Sequence, residues 1–443
     1  MLADKRARLK EWLESGEATL QPLTFPQREL WETSPVPVAD MAHHICCLID
    51  VRGLITERDC IAAMQRVVDR QEVLRVSILP GKERPLQMIR KSREVNFQFR
   101  DVPAGETRSI EELATDIFRE PFDLVQGPLY RTVALRRAAD DHVLVFAIHH
   151  AIADGWTLGV LIQDLFAAYV QEVMGVSQPL PAVPLSYSAW GAAERAFWQP
   201  AEIESRTGFW RDRLAGRPSL WSEPIAPGAP QRWVSEVPPA LSAETRQLAR
   251  HAGVTLFSTL LGAFQVAFSR WTGADDILVG TPVANRHKQA VRETMGYCSG
   301  IVPLRWRIDP ARSFSEHLGA MHQMTVESFA HAMPFAELVR ILGEPTGPHI
   351  NPIFEVRFAL QNHPVPEFSL PTLSARLKMR STGTPRFQLG CEITEDGQAF
   401  EVVWVFRENL FSQDDIARLD RLFQQVLTDV CRSPKTRIAD LIP

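Results

Sequence analysis

Residues 149–155 (HHAIADG) hold the side chains of this sequence that are best suited to acid–base chemistry. Two adjacent imidazoles are followed, four residues after the second, by the carboxylate of Asp154. Successive side chains of an extended segment face opposite ways, so one of His149 and His150 should face a cleft while the other turns into the protein. An exposed imidazole, with a pKa of about 6.5, can act as a base at neutral pH.

The carboxylate and the glycine of this segment have supporting roles open to them. Asp154 can orient an imidazole or hold the loop through a buried ion pair. Gly155 permits a tight turn into a following helix, and a backbone N–H at the start of that helix can face a developing oxyanion. A His pair with a nearby carboxylate is nevertheless more often structural than catalytic, so the spacing alone does not decide.

A second group of residues, 43–47 (HHICC), has the types that ligate metals. Adjacent side chains on a strand face opposite directions. No Cys-x2-Cys or His-x3–5-His spacing completes a site. We therefore predict no metal site in this chain.

The elements around residues 149–155 are predicted to be a buried strand and a long helix. Residues 142–148 (HVLVFAI) form a short apolar run with β-branched residues, which is typical of a buried strand. From Trp156 to Met174 the apolar residues keep helical spacing. Upstream, residues 43–51 favour a strand that ends at Gly53, and Thr56 is the predicted N-cap of the next helix.

The distribution of prolines divides the chain into two parts. Pro179, Pro181 and Pro184 fall within six residues, which suits a stiff linker. After a second cluster at 224–230 the order of elements repeats in outline. We predict an α/β (α+β) fold with two lobes, residues 1–180 and 181–443. Further predicted elements are a charged helix at 4–15, strands at 231–240, 277–283, 356–360, 387–393 and 400–406, a helix capped by Ser242, and helices at 255–271 and 412–430.

Composition excludes several classes of protein. The 443 residues contain 48 Lys and Arg against 53 Asp and Glu, a net charge of −5, which gives no support to a nucleic-acid binder. Six cysteines are too few for a disulfide framework. The sequence has no targeting segment at its start and no 18-residue uncharged apolar run, so we expect no membrane span and a cytoplasmic protein.

The HHxxxDG spacing of residues 149–155 resembles the active-site motif of condensation domains of nonribosomal peptide synthetases, within the chloramphenicol-acetyltransferase-like superfamily. Other segments resemble motifs of that family, in the same order, from about residue 21 to the C-terminus. They are 26–31 (PQRELW, for AQxRLW), 70–75 (RQEVLR, for RHExLR), 154–161 (DGWTLGVL, for DGWSxGVL), 185–190 (LSYSAW, for YxDYAxW), 276–286 (DILVGTPVANR), 333–339 (MPFAELV, for DxPFExLV) and 351–354 (NPIF, for NPxF).

The resemblance implies a fold and a set of site residues. Such domains have two chloramphenicol-acetyltransferase-like lobes in a V-shaped pseudo-dimer with a central tunnel, and HHxxxDG lies midway along it. His150 would then be the catalytic base or the group that positions the attacking amine. His149 and Asp154 would be mainly structural, Arg286 would be the salt-bridge partner of Asp154, and Gly155 would line the reacting centre. Trp156, Gly300 and Asn351 would line the tunnel, and the segment near Thr382–Leu389 would be a latch between the lobes.

One departure from the family bears on substrate choice. The family's GxFVNTxPLR reads GYCSGIVPLR at residues 296–305, so Gly300 and Ile301 replace its Asn-Thr pair. Polar contacts are lost there and space is gained, which predicts a larger or less polar substrate. The alternative is that Gly300 relieves backbone strain in a turn.

The resemblance also implies an activity and partners. Two peptidyl carrier proteins, donor and acceptor, would present thioester-linked substrates on phosphopantetheine arms, and the acceptor amine would attack the donor thioester to form an amide. No cofactor would be bound. Alternatives are a starter or free-standing acyltransferase of the same fold, with a fatty or aryl donor or with ester formation at a hydroxyl, and a non-catalytic recruitment domain. Whether the protein is monomeric or part of a megasynthetase is left open.

Overall fold

A computed structural model of the chain describes residues 9–32, 43–80, 84–221, 230–347, 352–361, 368–370, 373–380 and 387–441. The elements with assigned bounds are fifteen strands and eleven α-helices. The strands are β1 Ala18–Pro22, β2 His44–Arg52, β3 Val76–Leu79, β4 Leu86–Arg90, β5 Phe97–Asp101, β6 Tyr130–Ala138, β7 Asp141–His149, β8 Pro230–Val237, β9 Asp276–Val283, β10 Gly300–Arg307, β11 Val356–Gln361, β12 Phe368–Leu370, β13 Leu373–Arg380, β14 Leu389–Asp396 and β15 Ala399–Arg407.

Helices cover these strands and connect them. They are α1 Phe25–Glu32, α2 Glu57–Arg70, α3 Ile110–Arg119, α4 Gly155–Val173, α5 Tyr187–Phe197, α6 Pro200–Leu214, α7 Pro239–Ala252, α8 Leu256–Thr272, α9 Phe314–Ala330, α10 Phe335–Leu342 and α11 Gln413–Arg432. The predicted mixed α/β fold class is therefore confirmed.

Two six-stranded sheets organise the two halves of the chain. The first has the order β12-β13-β2-β7-β6-β5 and the second the order β10-β9-β11-β14-β15-β8. Each sheet has its own hydrophobic core, one centred on β2, β6, β7, α2 and α4 and the other on β9, β14, β15, α8 and α11. Sheets need helices against their apolar faces. We call the first sheet with its helices and core the first lobe, and the second sheet with its helices and core the second lobe.

The strand that leads to the His pair is central in the first sheet. β7 lies between β2 and β6, antiparallel to both, and eight of its nine residues are buried. A strand buried on both faces reads as a continuous apolar run, which is why residues 142–148 lack the alternation of a half-exposed strand. This buried position makes the end of β7 a rigid support for the residues that follow.

Most predicted elements are present, with one correction to a helix cap. Thr56 caps α2 by accepting a hydrogen bond from the backbone N–H of Asp59, as predicted. Ser242 does not cap a helix: α7 begins three residues earlier, and the Ser242 hydroxyl donates to the carbonyl of Val237. Pro239 at the first helical position starts α7 instead, because its fixed φ suits that position and its missing N–H needs no partner there.

The second half of the chain supplies part of the first sheet. β13 pairs antiparallel with β2, placing Met379 opposite Cys47, and β12 pairs with β13. The crossing between sheets thus uses residues 368–380, upstream of the predicted latch at Thr382–Leu389. Residues 382–386 of that predicted latch lie outside the described residues. The lobe boundary near residue 180 stays a prediction.

No single helix in the described part of the chain is long and apolar enough to cross a membrane. Taken together, the helices α7 and α8 are long and apolar enough for such a span, but a bend of 108° separates them.

A buried glutamine in the second core gives a test of the packing. Gln265 lies in α8 and is 0% exposed, and neither of its amide atoms has a hydrogen-bond partner among the described residues. An unsatisfied buried polar group costs about 1–3 kcal/mol, so Gln265→Leu should raise the free energy of unfolding by roughly that amount. Chemical denaturation followed by circular dichroism measures it.

Gln71 provides the matched control. It is also buried, but its side chain accepts from Met295 N and donates to Asp164 and to the Glu293 carbonyl. Gln71→Leu should therefore destabilise the protein. Destabilisation by Gln265→Leu as large as that by Gln71→Leu would contradict this account of the second core.

Candidate functional site

The connection between β7 and α4 has the strand–turn–helix geometry that the sequence predicts. β7 ends at His149, residues His150–Ile152 form one turn of 3-10 helix, and Asp154 is the N-cap of α4. The side chain of Gln27, from α1, donates to the carbonyl of Ala151 at 2.9 Å and so fixes the turn from outside.

The two histidines of the motif occupy different environments. His149 is 8% exposed, and its Nδ1 accepts a hydrogen bond from the backbone N–H of Ala151 at 3.1 Å. Its ring lies about 6.1 Å from the rings of His44 and Phe122. His150 is only half-buried, and its ring centroid lies 4.3 Å from that of Tyr297. One imidazole is therefore part of the interior and the other lies at its edge.

Burial keeps the His149 imidazole neutral. Desolvation, with smaller contributions from His44 and His150, lowers the pKa of His149 to about 3. A neutral ring accepts the Ala151 hydrogen bond, whereas a protonated ring could not. His149 thus serves the shape of the turn, and of the two motif histidines His150 is the more exposed.

The Asp154 carboxylate is the best-connected group of the site. Its Oδ1 caps α4 by accepting from the backbone N–H and the hydroxyl of Thr157, both at 3.0 Å. Its Oδ2 accepts from Arg286 Nη1 at 2.6 Å and from the backbone N–H groups of Cys298 and Ser299, both at 3.1 Å. The residue is 2% exposed, so these bonds replace its hydration.

Asp154 and Arg286 form an ionised buried pair. Burial alone raises the pKa of Asp154, but the charge and hydrogen bond of Arg286, with backbone donors, outweigh it and hold the pKa below its usual value. Burial likewise lowers the pKa of Arg286, and Asp154 more than offsets this, so its pKa lies above the ordinary value. Arg286 Nη2 also donates to the Gly296 carbonyl at 3.1 Å.

These bonds attach one loop of the second lobe to the first. The 293–299 segment lies between β9 and β10, and most of its backbone polar groups bond to other parts of the chain. Gly296 N donates to Thr157 Oγ1, the Tyr297 carbonyl accepts from Tyr187 Oη at 2.9 Å, and Met295 N donates to Gln71. Gly296 is needed here, because its φ is 151° and a Cβ would lie 2.2 Å from the Tyr187 ring.

The segments 70–75 and 185–190 also help to hold the 293–299 loop and the helices next to it. Arg70 forms two hydrogen bonds to Asp164 of α4, at 2.6 and 2.7 Å, and a third to Glu293 at 2.6 Å. Glu72 accepts from the backbone N–H and the hydroxyl of Ser188 at the start of α5. The segments 70–75 and 185–190 are thus part of the scaffold of the site.

The remaining predicted site residues have these positions. Gly155 is the first residue of α4, and its φ lies outside the left-handed region, so the turn does not use the freedom of glycine. Trp156 donates from Nε1 to the Arg292 carbonyl at 2.9 Å, and the Arg286 guanidinium lies 5.7 Å from its ring. Asn351 lies outside the described residues.

Gly300 is a strand residue. It begins β10 opposite Val283, and its φ is not positive, so the strain-relief explanation is wrong. A Cβ at Gly300 would lie 3.1 Å from Nδ2 of Asn285, whose amide donates to the Cys298 carbonyl at 3.0 Å. The Asn285 amide therefore takes up part of the space that the missing side chain leaves.

Sequence reasoning did not single out Gln27 as a support of the turn or Tyr297 as a neighbour of His150. Both belong to segments that the motif comparison had marked, 26–31 and 296–305, which was the available signal. Among the described residues no cluster of three or more His, Cys, Asp or Glu side chains could hold a metal ion.

Loss of one member of the buried pair should destabilise the fold. Arg286→Met leaves the Asp154 carboxylate buried without its counter-ion, which costs about 3–5 kcal/mol. The double variant Asp154→Asn with Arg286→Met removes both charges and should recover part of that loss. Equilibrium denaturation of the two single variants and the double variant forms a thermodynamic cycle that isolates the pair.

Arg437→Met is the matched control, since Arg437 pairs with Asp440 on the surface, where both side chains are at least half exposed. It should cost no more than about 1 kcal/mol. Equal losses for Arg286→Met and Arg437→Met would contradict the account of the buried pair.

The neutral His149 should make stability depend on pH. Its pKa is about 3 in the fold and about 6.5 in an unfolded chain, so the unfolded state binds more protons between these values. The contribution of His149 to the free energy of unfolding is therefore complete above pH 6.5. Below that pH it decreases by about 1.4 kcal/mol for each pH unit. His149→Gln should reduce the slope of unfolding free energy against pH by that amount between pH 5 and 6. An unchanged slope would show that His149 is protonated in the fold.

Comparison with known proteins agrees with this arrangement. Residues 17–442 match the family model described as "Condensation domain". The chain is 28% identical over 437 residues to one of the linear gramicidin synthase subunits of Brevibacillus parabrevis, an alignment that covers 95% of this chain and 9% of that protein. It is 29% identical over 441 residues to phosphinothricin tripeptide synthetase PhsC of Streptomyces viridochromogenes, an alignment that covers 95% of this chain and 40% of that protein. The chain thus spans less than half the length of these relatives.

A solved structure shows the same fold. The first condensation domain of the CDA synthetase superimposes with a TM-score of 0.82 at 18% identity, covering 96% of this chain and 98% of that one. The match to the family model extends over nearly the whole chain and includes both sheets and residues 149–155. The chain belongs to the condensation-domain family of nonribosomal peptide synthetases, which has the chloramphenicol-acetyltransferase-like fold.

Proposed function

We propose that this chain forms an amide bond between a donor acyl or peptidyl thioester and the amine of an acceptor aminoacyl thioester, each held on the phosphopantetheine arm of a peptidyl carrier protein. The observation that carries the proposal is the position of His150. It is a half-buried imidazole on a rigid turn between the central strand β7 and the N-terminus of α4, in a chain whose family is that of condensation domains.

The residues of the turn have distinct roles in this proposal. His150 accepts a proton from the attacking amine or positions that amine through a hydrogen bond. The first N–H groups of α4, at Gly155 and Trp156, have no acceptor within the helix, and they point a partial positive charge towards developing negative charge on the thioester oxygen. His149, Asp154 and Arg286 keep this turn and the facing loop in place.

Positioning should supply much of the rate acceleration. Aminolysis of a thioester is downhill, and alignment of two reactants can replace a large part of the entropy cost of a bimolecular encounter. The tethered arms would deliver both reactants to His150 through a tunnel between two lobes, residues 1–180 and 181–443, arranged as a V. Trp156 and Gly300 are the tunnel residues that we propose from the described part of the chain, and Asn351 is a third by its motif.

The same proposal includes an enzyme that binds no cofactor of its own and that works in the cytoplasm. The reaction needs only the carrier-bound substrates, and the chain itself would hold no metal or soluble cofactor. All six cysteines are free, including the buried and adjacent Cys46 and Cys47. Free buried thiols are typical of a reducing environment, which supports a cytoplasmic enzyme.

Replacement of His150 tests the proposal. Donor carriers loaded with aminoacyl or fatty-acyl groups are incubated with aminoacyl acceptor carriers, and mass spectrometry measures product on the acceptor. His150→Ala should reduce turnover by about 10²–10⁴-fold if His150 is a general base. A smaller but measurable loss would favour the positioning role.

His251→Ala is the control, because His251 is an exposed histidine on α7 of the second lobe. It should leave turnover unchanged, and both variants should keep the circular dichroism spectrum of the parent protein. Turnover of His150→Ala near that of the parent would contradict the assignment of His150 to the reaction.

A further inference from the structure

The neighbour of His150 on the side of the second lobe is an aromatic ring. The ring centroids of His150 and Tyr297 are 4.3 Å apart and the two planes are inclined by 58°. Tyr297 is 2% exposed and forms a small apolar cluster with Leu30 of α1 and Ala151 of the turn. The imidazole of His150 therefore contacts a buried side chain that has little room to move.

The backbone on both sides of Tyr297 is fixed. Its own carbonyl accepts from Tyr187 Oη at 2.9 Å, and Tyr187 Oη lies 2.9 Å from Thr24 Oγ1. The preceding Gly296 bonds to Thr157 through its N–H and to Arg286 through its carbonyl. The following N–H groups, of Cys298 and Ser299, donate to Asp154. A side chain on such a backbone has a defined direction.

The main chain of the turn that carries His150 is held by two hydrogen bonds. Ala151 is bonded through its N–H to His149 and through its carbonyl to Gln27, so the main chain is held. The direction of the imidazole depends in addition on its side-chain rotamer, which the groups in contact with the ring determine. A half-buried ring has more than one staggered rotamer available unless a neighbour excludes the others.

We propose that Tyr297 is a positioning residue for His150: its buried ring restricts the imidazole to the rotamer that serves the reaction. This inference rests on the proposed function of His150 and deepens it. Aromatic rings prefer tilted or offset contacts at centroid distances of about 4.5–7 Å. The His150–Tyr297 pair is tilted, and its centroid distance of 4.3 Å is slightly shorter than that range, so the two rings are in close contact. The Asp154–Arg286 pair would then influence the reaction through Tyr297.

The contact also gives the second lobe a role in the chemistry. His150 belongs to the first lobe, whereas Tyr297 lies on the loop between two strands of the second sheet. A shift of that loop relative to β7 would remove this aromatic contact of the imidazole. The site as proposed is complete only when the 293–299 segment is docked on the first lobe.

Nuclear magnetic resonance of histidine-labelled protein tests the contact without any substrate. The His150 signals are assigned from their loss in His150→Ala. Tyr297→Phe keeps the ring and should leave the His150 ring-proton shifts close to those of the parent. Tyr297→Leu removes the aromatic ring and should move them, because the ring-current shift is lost and the imidazole samples other rotamers.

Kinetics with loaded carriers test the consequence. Tyr297→Leu should lower kcat by about 10-fold or more with little change in KM, since a small misplacement of a reacting group can cost up to about 10²-fold. Tyr297→Phe should retain most of kcat. Phe268→Leu, which removes a fully buried ring from the second core, controls for loss of aromatic packing and should leave kcat and the His150 signals unchanged.

The outcomes separate this inference from the proposed function. Unchanged His150 signals in Tyr297→Leu, or an equal loss of kcat in Tyr297→Phe and Tyr297→Leu, would overturn the positioning role, whatever the effect of His150→Ala. Full turnover of His150→Ala would instead overturn the assignment of His150, even if its ring signals respond to Tyr297→Leu.

Discussion

The buried ion pair between Asp154 and Arg286 is the interaction on which the rest of the site depends. The two carboxylate oxygens have different roles, since one caps α4 and the other binds Arg286 and two backbone N–H groups of the second lobe. Two charges removed from water need close geometry and several hydrogen bonds to offset their desolvation. Both conditions are met here, with side chains that are only 3% and 1% exposed.

This arrangement explains why an acidic residue follows the His pair at a fixed distance. The carboxylate must be at the N-cap position to begin the helix, and from there it reaches the loop between β9 and β10. The turn with His150 and the loop with Tyr297 are consequently joined at one point. Catalytic groups need positions accurate to a fraction of an ångström, and supporting hydrogen bonds provide that accuracy.

The local elements of this site could be predicted from sequence. The apolar run of β7, the helical spacing of α4 and the cap at Thr56 follow from patterns that extend over neighbouring residues. Arg286 was found only through resemblance to a family, because no local pattern relates it to Asp154, 132 residues away. The Tyr297–His150 contact was missed for the same reason: it depends on how the loop docks.

Ser242 shows the limit of local patterns within a single element. A serine before a helical segment suggests an N-cap, but Pro239 is the stronger signal and the helix begins there. The crossing strand β13 is a different case. Its place beside β2 in the first sheet depends on pairing between residues far apart in the chain, such as Met379 and Cys47, and no periodicity in either segment indicates that partner.

Hydrogen exchange of the 293–299 segment tests the central claim most directly. Exchange is followed by mass spectrometry in the parent protein and in Asp154→Ala, with the peptide that contains β7 as an internal reference for global opening. The account predicts slow exchange of the Met295, Gly296, Cys298 and Ser299 amides in the parent, and much faster exchange in Asp154→Ala while β7 stays protected. Equal protection of the segment in both proteins would show that the Asp154 carboxylate does not hold the loop.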